Sequence, residues 1–342
     1  MKTPRIEWID VLRGVGITLV VIGHCFVGLT NTMIYSFHMP LFFALGGLLY
    51  RPSTDYRVFL ERKAQHLMIP YITFLVIFYG EVVIDSIRYA MTQQSLASLK
   101  GVAIVVFKGL YGGQLLGGGT SAFWFVTCFF VTQQIFNYLF TRFDRKQLGL
   151  ILIGAFVLSY VNQYCFRAWV FPGAINVALA ALSYFGLGVF LKGKTFSRSL
   201  YVGAGLMSLM GFGLMMNGTL SKYDMEYANY GIPGLSFGLA TATIMVLMGL
   251  SQWLTQFDRI KYPLTYVGSA SMVILYVHQY VQMQVKVKVG EDANGLRLAT
   301  SLLVSLLAYQ AIVQFPITRA FCLGSAKDLQ RFLPQRTKTP AT

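Results

Sequence analysis

The sequence predicts an all-α, polytopic membrane helix bundle of about ten transmembrane helices with both termini cytoplasmic. Three observations carry that prediction. Of 342 residues, 55% are hydrophobic and only 12% are charged, whereas soluble domains hold about 25% charged residues, and mean hydropathy is +0.58. Apolar runs of spanning length recur, separated by short polar stretches. Basic residues collect in alternate polar stretches. A water-soluble fold of this composition would expose large apolar patches. In hydrocarbon every backbone group has to pair within its own segment, so long apolar runs read as helices. The alternating short segments of a transmembrane β-barrel are missing.

Ten segments approach the roughly 20 residues a crossing helix needs. They are Val11–Leu29, Met33–Tyr50, Leu67–Asp85, Ser121–Thr141, Leu148–Cys165, Ala174–Leu191, Leu200–Met216, Pro233–Trp253, Leu264–Val285 and Leu298–Phe321. The first follows Lys2 and Arg5, as a signal peptide would. Glu7, Asp10 and Arg13 stand close before it and no small-residue cleavage site follows, so it reads as a retained helix. Val102–Leu116 is apolar but short and bounded by glycine, either a re-entrant or interfacial piece or an eleventh span.

With the N-terminus inside, 20 of the 28 Lys and Arg residues fall on the inner side. The outer side keeps Arg88, Lys100, Lys108, Arg167, Lys222, Lys286, Lys288 and Arg297. This is the positive-inside pattern, and it assigns the net charge of +15 to lipid orientation rather than to nucleic acid. Cys25, Cys128, Cys165 and Cys322 are far apart with no C-x-x-C pair, so neither a disulfide framework nor a zinc or other metal site is indicated. Residues 1–322 form one transmembrane domain, and 323–342 a short basic tail expected on the inner membrane surface.

Ionisable side chains inside spanning segments are costly and mark sites or pathways. In the first segment Asp10 and Arg13 are three apart and can pair. At 100° per residue, Asp10, Arg13 and His24 fall within about 40° of one stripe, with His24 about 21 Å deeper than Asp10. The acid–base pair alone reads equally well as an interfacial ion pair. A histidine deep in an apolar helix must find a partner, and a functional role explains it best.

In the second segment His38 follows a short outer loop, near the level of His24, with Pro40 tolerated close to a helix start. A histidine at headgroup level is the competing reading. Arg62, Lys63 and His66 form a basic cluster before the third segment, suited to donor phosphates or simply to anchoring at the inner surface. In the ninth segment Ser271 and His278 share a face while Tyr276 points elsewhere, and Ser271 and Tyr276 serve equally well as structural hydrogen-bonding groups. Glu81 and Asp85 share a face near the outer end of the third segment and read as solvated carboxylates.

Five stretches carry a family resemblance: W-I-D-V-L-R-G at Trp8–Gly14 followed by His24, F-H-M-P-L-F-F at Phe37–Phe43, the basic element running into Pro70 and Tyr71, S-A-F-W-F-V at Ser121–Val126, and G-S-A-S-M-V-I-L-Y-V-H at Gly268–His278. Over nearly its whole length the chain resembles the acyltransferase-3 family of bacterial inner-membrane proteins, which O-acylate surface and periplasmic glycans. The resemblance implies a cytoplasmic acyl-CoA donor, acetyl-CoA by default, acting as substrate rather than as a permanently bound cofactor. It implies an extracytoplasmic glycan or lipid-linked sugar as acceptor and an essential histidine matching His24. Arg13 matches the family's first-helix arginine, and Arg62 and Lys63 its cytoplasmic basic element. Trp124, in the S-A-F-W-F-V stretch, joins Ser271 and Tyr276 as an expected substrate contact. Gln65 departs from the pattern, since many members carry a second basic residue there, and His66 or Lys63 is expected to substitute. No esterase-type domain follows the membrane part.

Acyl transfer to a hydroxyl needs a base for the proton and donors for the oxyanion. His24 is expected to be that base, or a transient acyl-imidazole nucleophile. Asp10 and Arg13 would shape the donor passage, and His38 and His278 would orient the acceptor or stabilise charge. A proton-coupled or sugar-lipid transporter would also use buried histidines, but neither an inverted repeat nor an interrupted helix pair is visible in the sequence. A non-catalytic subunit of a glycan-export complex would not need His24.

Overall fold

The computed structural model describes residues 7–332. Lys2, Arg5, Arg336, Lys338 and the second half of the expected basic tail, residues 333–342, lie outside the described residues. Within them the chain is helical with no strand, the one β feature being a single bridge between Asp224 and Asn229. In chain order the helices are α1 (Glu7–Cys25), α2 (Leu29–Tyr35), α3 (His38–Leu48), α4 (Tyr56–Gln93), α5 (Leu96–Tyr111), α6 (Trp124–Arg142), α7 (Arg145–Cys165) and α8 (Ala178–Leu191). There follow α9 (Arg198–Met216), α10 (Leu235–Leu254), α11 (Asp258–Ser269), α12 (Ser271–Val289), α13 (Asn294–Gln314), α14 (Pro316–Leu323) and α15 (Ala326–Leu329).

Among the described residues, eight helical stretches are long and apolar enough to cross a membrane, and they match eight of the ten expected segments. The chain is a helical membrane bundle. The other two segments are interrupted, which the sequence reading did not foresee. Met33–Tyr50 breaks at Ser36 and Phe37, between α2 and α3. Pro40 is the cause: it has no N–H to give the Ser36 carbonyl, and its ring crowds that oxygen. Leu264–Val285 breaks at Ala270, between α11 and α12. There Ser269 Oγ bonds back to the Thr265 carbonyl at 2.9 Å, a contact that bends helices. Both breaks fall beside expected site residues, His38 and Ser271.

α1 stops at Cys25, four residues short of the expected Leu29, because Gly28 takes a positive φ of 78°. α13 stops at Gln314 ahead of Pro316, whose ring disfavours helical geometry in the residue before it. α5 begins earlier than expected, ends at Tyr111, and packs along α4, where Tyr79 donates to the Val105 carbonyl at 2.9 Å.

Lipid gives helices no apolar reason to associate, so close backbone approach has to hold them together. α3 and α8 cross at Gly47 and Gly188, where a Cβ on either would strike the other helix's backbone carbonyl, that of Phe185 or of Ala44. α1 and α11 cross in the same way at Gly14 and Gly268. These crossings fix α3 against α8 and α1 against α11 beside the core that contains the site.

Candidate active site

One face of α1 presents Arg13, Ile17, Val20 and His24, spaced four, three and four residues apart. That face lines two adjoining spaces. The larger is a cavity of about 600 Å³ on the end predicted to face the cytoplasm. Arg13, Arg62, Lys63 and His66 line it, with apolar walls from α3, α6 and α12 and with Ser271 and Gln133 as polar points. Arg62 and His66 are exposed, which puts the basic residues at its mouth. The smaller space is a chamber of about 20 Å³ lined by His24, Tyr35, His38, Trp124, Asp224 and Glu226, among others. It has room for about one water. Met39 and Leu275 line both spaces and form the wall between them.

Three imidazoles meet at this chamber. The His24 ring centroid is 6.4 Å from that of His38 and 5.3 Å from that of His278. Tyr35 Oη lies 3.1 Å from His24 Nδ1. His38 Nδ1 donates to the Ile34 carbonyl at 3.0 Å, and His278 Nδ1 to the Ile274 carbonyl at 2.7 Å. Both carbonyls come from the preceding turn of the same helix, so local geometry fixes both rings. Nε2 of His278 is buried and has no hydrogen-bond partner among the described residues.

The opposite wall comes from the loop between α9 and α10. Asp224 and Glu226 line the chamber. Lys222 Nζ bonds Asp224 at 3.1 Å and sits 3.9 Å from the centre of the Tyr35 ring. Gln114 holds the loop by donating to the Glu226 backbone carbonyl. Burial, and then the neighbouring Asp224, push the Glu226 carboxyl up to about 8. Burial also raises Asp224, with Lys222 opposing it. This wall therefore carries a carboxyl that holds a proton near neutral pH.

The residues singled out in the sequence are placed as follows. Asp10 is buried and pairs with Arg13 at 3.3 Å, but only Arg13 reaches the cavity. Arg62, Lys63, His66 and Ser271 all line that cavity. His24, His38 and Trp124 line the chamber, and His278 abuts His24 without lining it. Tyr276 lines neither space. It stacks on Phe74 at 4.6 Å and meets Phe123 edge-on at 4.8 Å, inside the apolar core. Glu81 and Asp85 line a separate space near Tyr280, where Tyr280 donates to Glu81 at 2.8 Å.

Several site groups escaped the sequence reading. Tyr35 fell inside the expected span Met33–Tyr50 and was not singled out. Asp224 and Glu226 lie in Y-D-M-E-Y, in a loop expected on the outer side whose composition gave no hint of folding inward. Arg297, counted as an outer surface charge, is buried at 5% exposure and donates to the His24 backbone carbonyl at 3.2 Å. A charged side chain within a turn of the apolar run of the last long helix was the available signal.

The family model described as an acyltransferase domain, that of the acyltransferase-3 family, matches residues 6–312. No curated protein and no solved structure gives a match. The match spans nearly the whole bundle and includes every residue of the cavity and chamber except Leu323. The chain therefore belongs to the acyltransferase-3 family and is a multi-pass membrane acyltransferase.

Proposed function

We propose that this protein moves an acetyl or other short acyl group from cytoplasmic acyl-CoA to a hydroxyl of an extracytoplasmic glycan or lipid-linked sugar, in the inner membrane of a bacterium. The observation that carries the reading is the alignment of a basic-mouthed cavity and a histidine chamber along one face of α1. Arg13, Arg62, Lys63 and His66 suit the phosphates of a nucleotide-type donor. The apolar walls beyond them suit the arm that carries the thioester. Arg13 to His24 is a rise of about 16 Å along the helix, the distance that arm would bridge. The outer loop over the chamber marks the side from which an acceptor would enter.

In the proposed chemistry the acceptor oxygen attacks the thioester carbonyl carbon. The His24 imidazole takes the hydroxyl proton as the C–O bond forms, and the carbonyl oxygen becomes an oxyanion. Collapse of that oxyanion breaks the C–S bond. The thiolate takes the proton back from His24 and leaves as free coenzyme A. Of the three neighbouring histidines only His24 stands on the α1 face that also carries the donor-side Arg13, which favours it for the transferring role.

Purified protein given labelled acetyl-CoA and a crude glycan fraction separates this reading from transport and from a purely structural subunit. The reading requires acylated glycan and free coenzyme A in equal amounts. Mass spectrometry of surface and periplasmic glycans from cells with and without the gene should show a shift of one acyl group. No shift in any glycan, together with no release of coenzyme A, would refute it.

A further inference from the structure

We infer that a polar relay anchored on Arg297 fixes the tautomer of His24, placing the lone pair on Nδ1 and the proton on Nε2. A guanidinium donates hydrogen bonds and cannot accept them. Arg297 therefore sets the direction of every bond that leads away from it. It donates to Gln282, so the Gln282 carboxamide oxygen must face it. The Gln282 nitrogen then points the other way and donates to Gln279 Oε1 at 2.8 Å. That in turn fixes Gln279 with its nitrogen outward, 2.7 Å from Ser121 Oγ and 3.4 Å from His24 Nδ1.

An amide nitrogen offers hydrogens only, so the ring nitrogen it faces has to present a lone pair. Tyr35 Oη, 3.1 Å from the same atom, then donates to it as well. The other two imidazoles are set the opposite way. The Ile34 and Ile274 carbonyls only accept, so His38 and His278 carry their protons on Nδ1. Three neighbouring rings thus stand in two different tautomers, and His24 is the odd one.

The catalytic meaning of this tautomer rests on the acyl-transfer reading above. His24 would take the acceptor proton at Nδ1, the acceptor hydroxyl replacing Tyr35 Oη at that single lone pair. Its Nε2–H would stay available as a donor to the oxyanion. The imidazolium would return its Nδ1 proton to the leaving thiolate. Arg297, Gln282 and Gln279 are positioning residues in this scheme, acting through His24 without touching substrate. Arg297 is suited to the task because another of its bonds, to the His24 backbone carbonyl at 3.2 Å, ties the end of α1 to the same anchor.

The test is nitrogen-15 NMR of the full-length protein in bilayers, labelled at histidine, with the His24 signals identified by their loss in His24→Gln. The expected spectrum has His24 protonated on Nε2 and bare on Nδ1, with His38 and His278 reversed. Arg297→Lys keeps a donor and should keep that pattern. Arg297→Met should give signals of both His24 tautomers and lower kcat by about 100-fold with the donor KM unchanged. A wild-type His24 protonated on Nδ1 overturns the proposal. So does Arg297→Met protein that keeps the wild-type melting temperature and a single Nε2–H tautomer. If the wild type shows the expected tautomers but transfers no acyl group, the relay stands and the acyl-transfer reading falls.

Discussion

Tyr35 and His24 are joined by a 3.1 Å contact between the phenol oxygen and Nδ1, and the same phenol ring carries the Lys222 ammonium 3.9 Å above its centre. The outer loop is thereby coupled to the imidazole through one side chain. Removing the hydroxyl leaves the ring and its packing in place. Tyr35→Phe should therefore lower kcat by about tenfold, the loss of roughly one hydrogen bond of 0.5–1.5 kcal/mol, with little change in donor KM. Steady-state transfer from labelled acetyl-CoA measures both quantities. A large rise in donor KM would instead place Tyr35 on the donor path.

The mouth of the large cavity makes the opposite prediction. Arg62 and Lys63 line it and not the chamber of His24, and both stand near the Phe59 ring, at 5.7 and 5.4 Å from its centre. Charge-assisted hydrogen bonds are worth about 1.5–3 kcal/mol each. Arg62→Gln or Lys63→Gln should raise the donor KM by about tenfold or more and leave kcat close to wild type. Initial rates across a range of acyl-CoA concentrations decide it, and an unchanged KM in both variants would remove these residues from donor binding.

Met39 and Leu275 separate the cavity from a chamber with room for about one water. A thioester reaches His24 only when that wall yields, and the flexible Met39 side chain is the part able to do so. Met39→Ala should widen the passage, so the ratio of butyryl to acetyl transfer rises by about tenfold, while Met39→Leu keeps the wild-type ratio. Competition between the two donors in one reaction reads the ratio directly. An unchanged ratio in Met39→Ala would mean the acyl group reaches His24 by another route.

Glu226 gives the outer loop a pH dependence of defined sign. Its carboxyl is pushed up to about 8 by burial and by Asp224, from an ordinary value of 4.5. The seated loop thus holds a proton that the displaced loop releases. Seating is strongest below about pH 4.5, weakens as pH rises towards 8, and then levels off. Hydrogen exchange of residues 217–234, corrected for the intrinsic rate, should show protection falling across that window. Glu226→Gln should flatten the profile, and an identical slope in the variant would assign the effect to another group.

The Arg13–His24 face was legible in the sequence because helix periodicity converts spacing into a shared face. Arg13 and His24 lie 11 residues apart and share that face, and the basic element at Arg62 and Lys63 reached the same cavity. The individual side chains that gather on the other side of His24 were not legible. Tyr35 and Arg297 reach His24, and Glu226 reaches its chamber, through loop folding and long-range packing, which no local pattern encodes. Tyr276 misled for a related reason. A tyrosine near a histidine reads as polar in sequence, yet its ring is held between Phe74 and Phe123. The two helix breaks were locally encoded, by Pro40 and by the back-bonding Ser269, and an apolar-run count alone passes over them.

The central claim is that the His24 imidazole carries the transfer of an acyl group across this bundle. The direct measurement is acyl transfer by purified wild-type and His24→Ala protein, reconstituted in vesicles, with labelled acetyl-CoA on the Arg62 side and glycan acceptor on the other. Wild-type protein should label the acceptor, and His24→Ala should lose at least about 10²-fold of that rate while keeping its melting temperature. Equal labelling by the two proteins would contradict the claim.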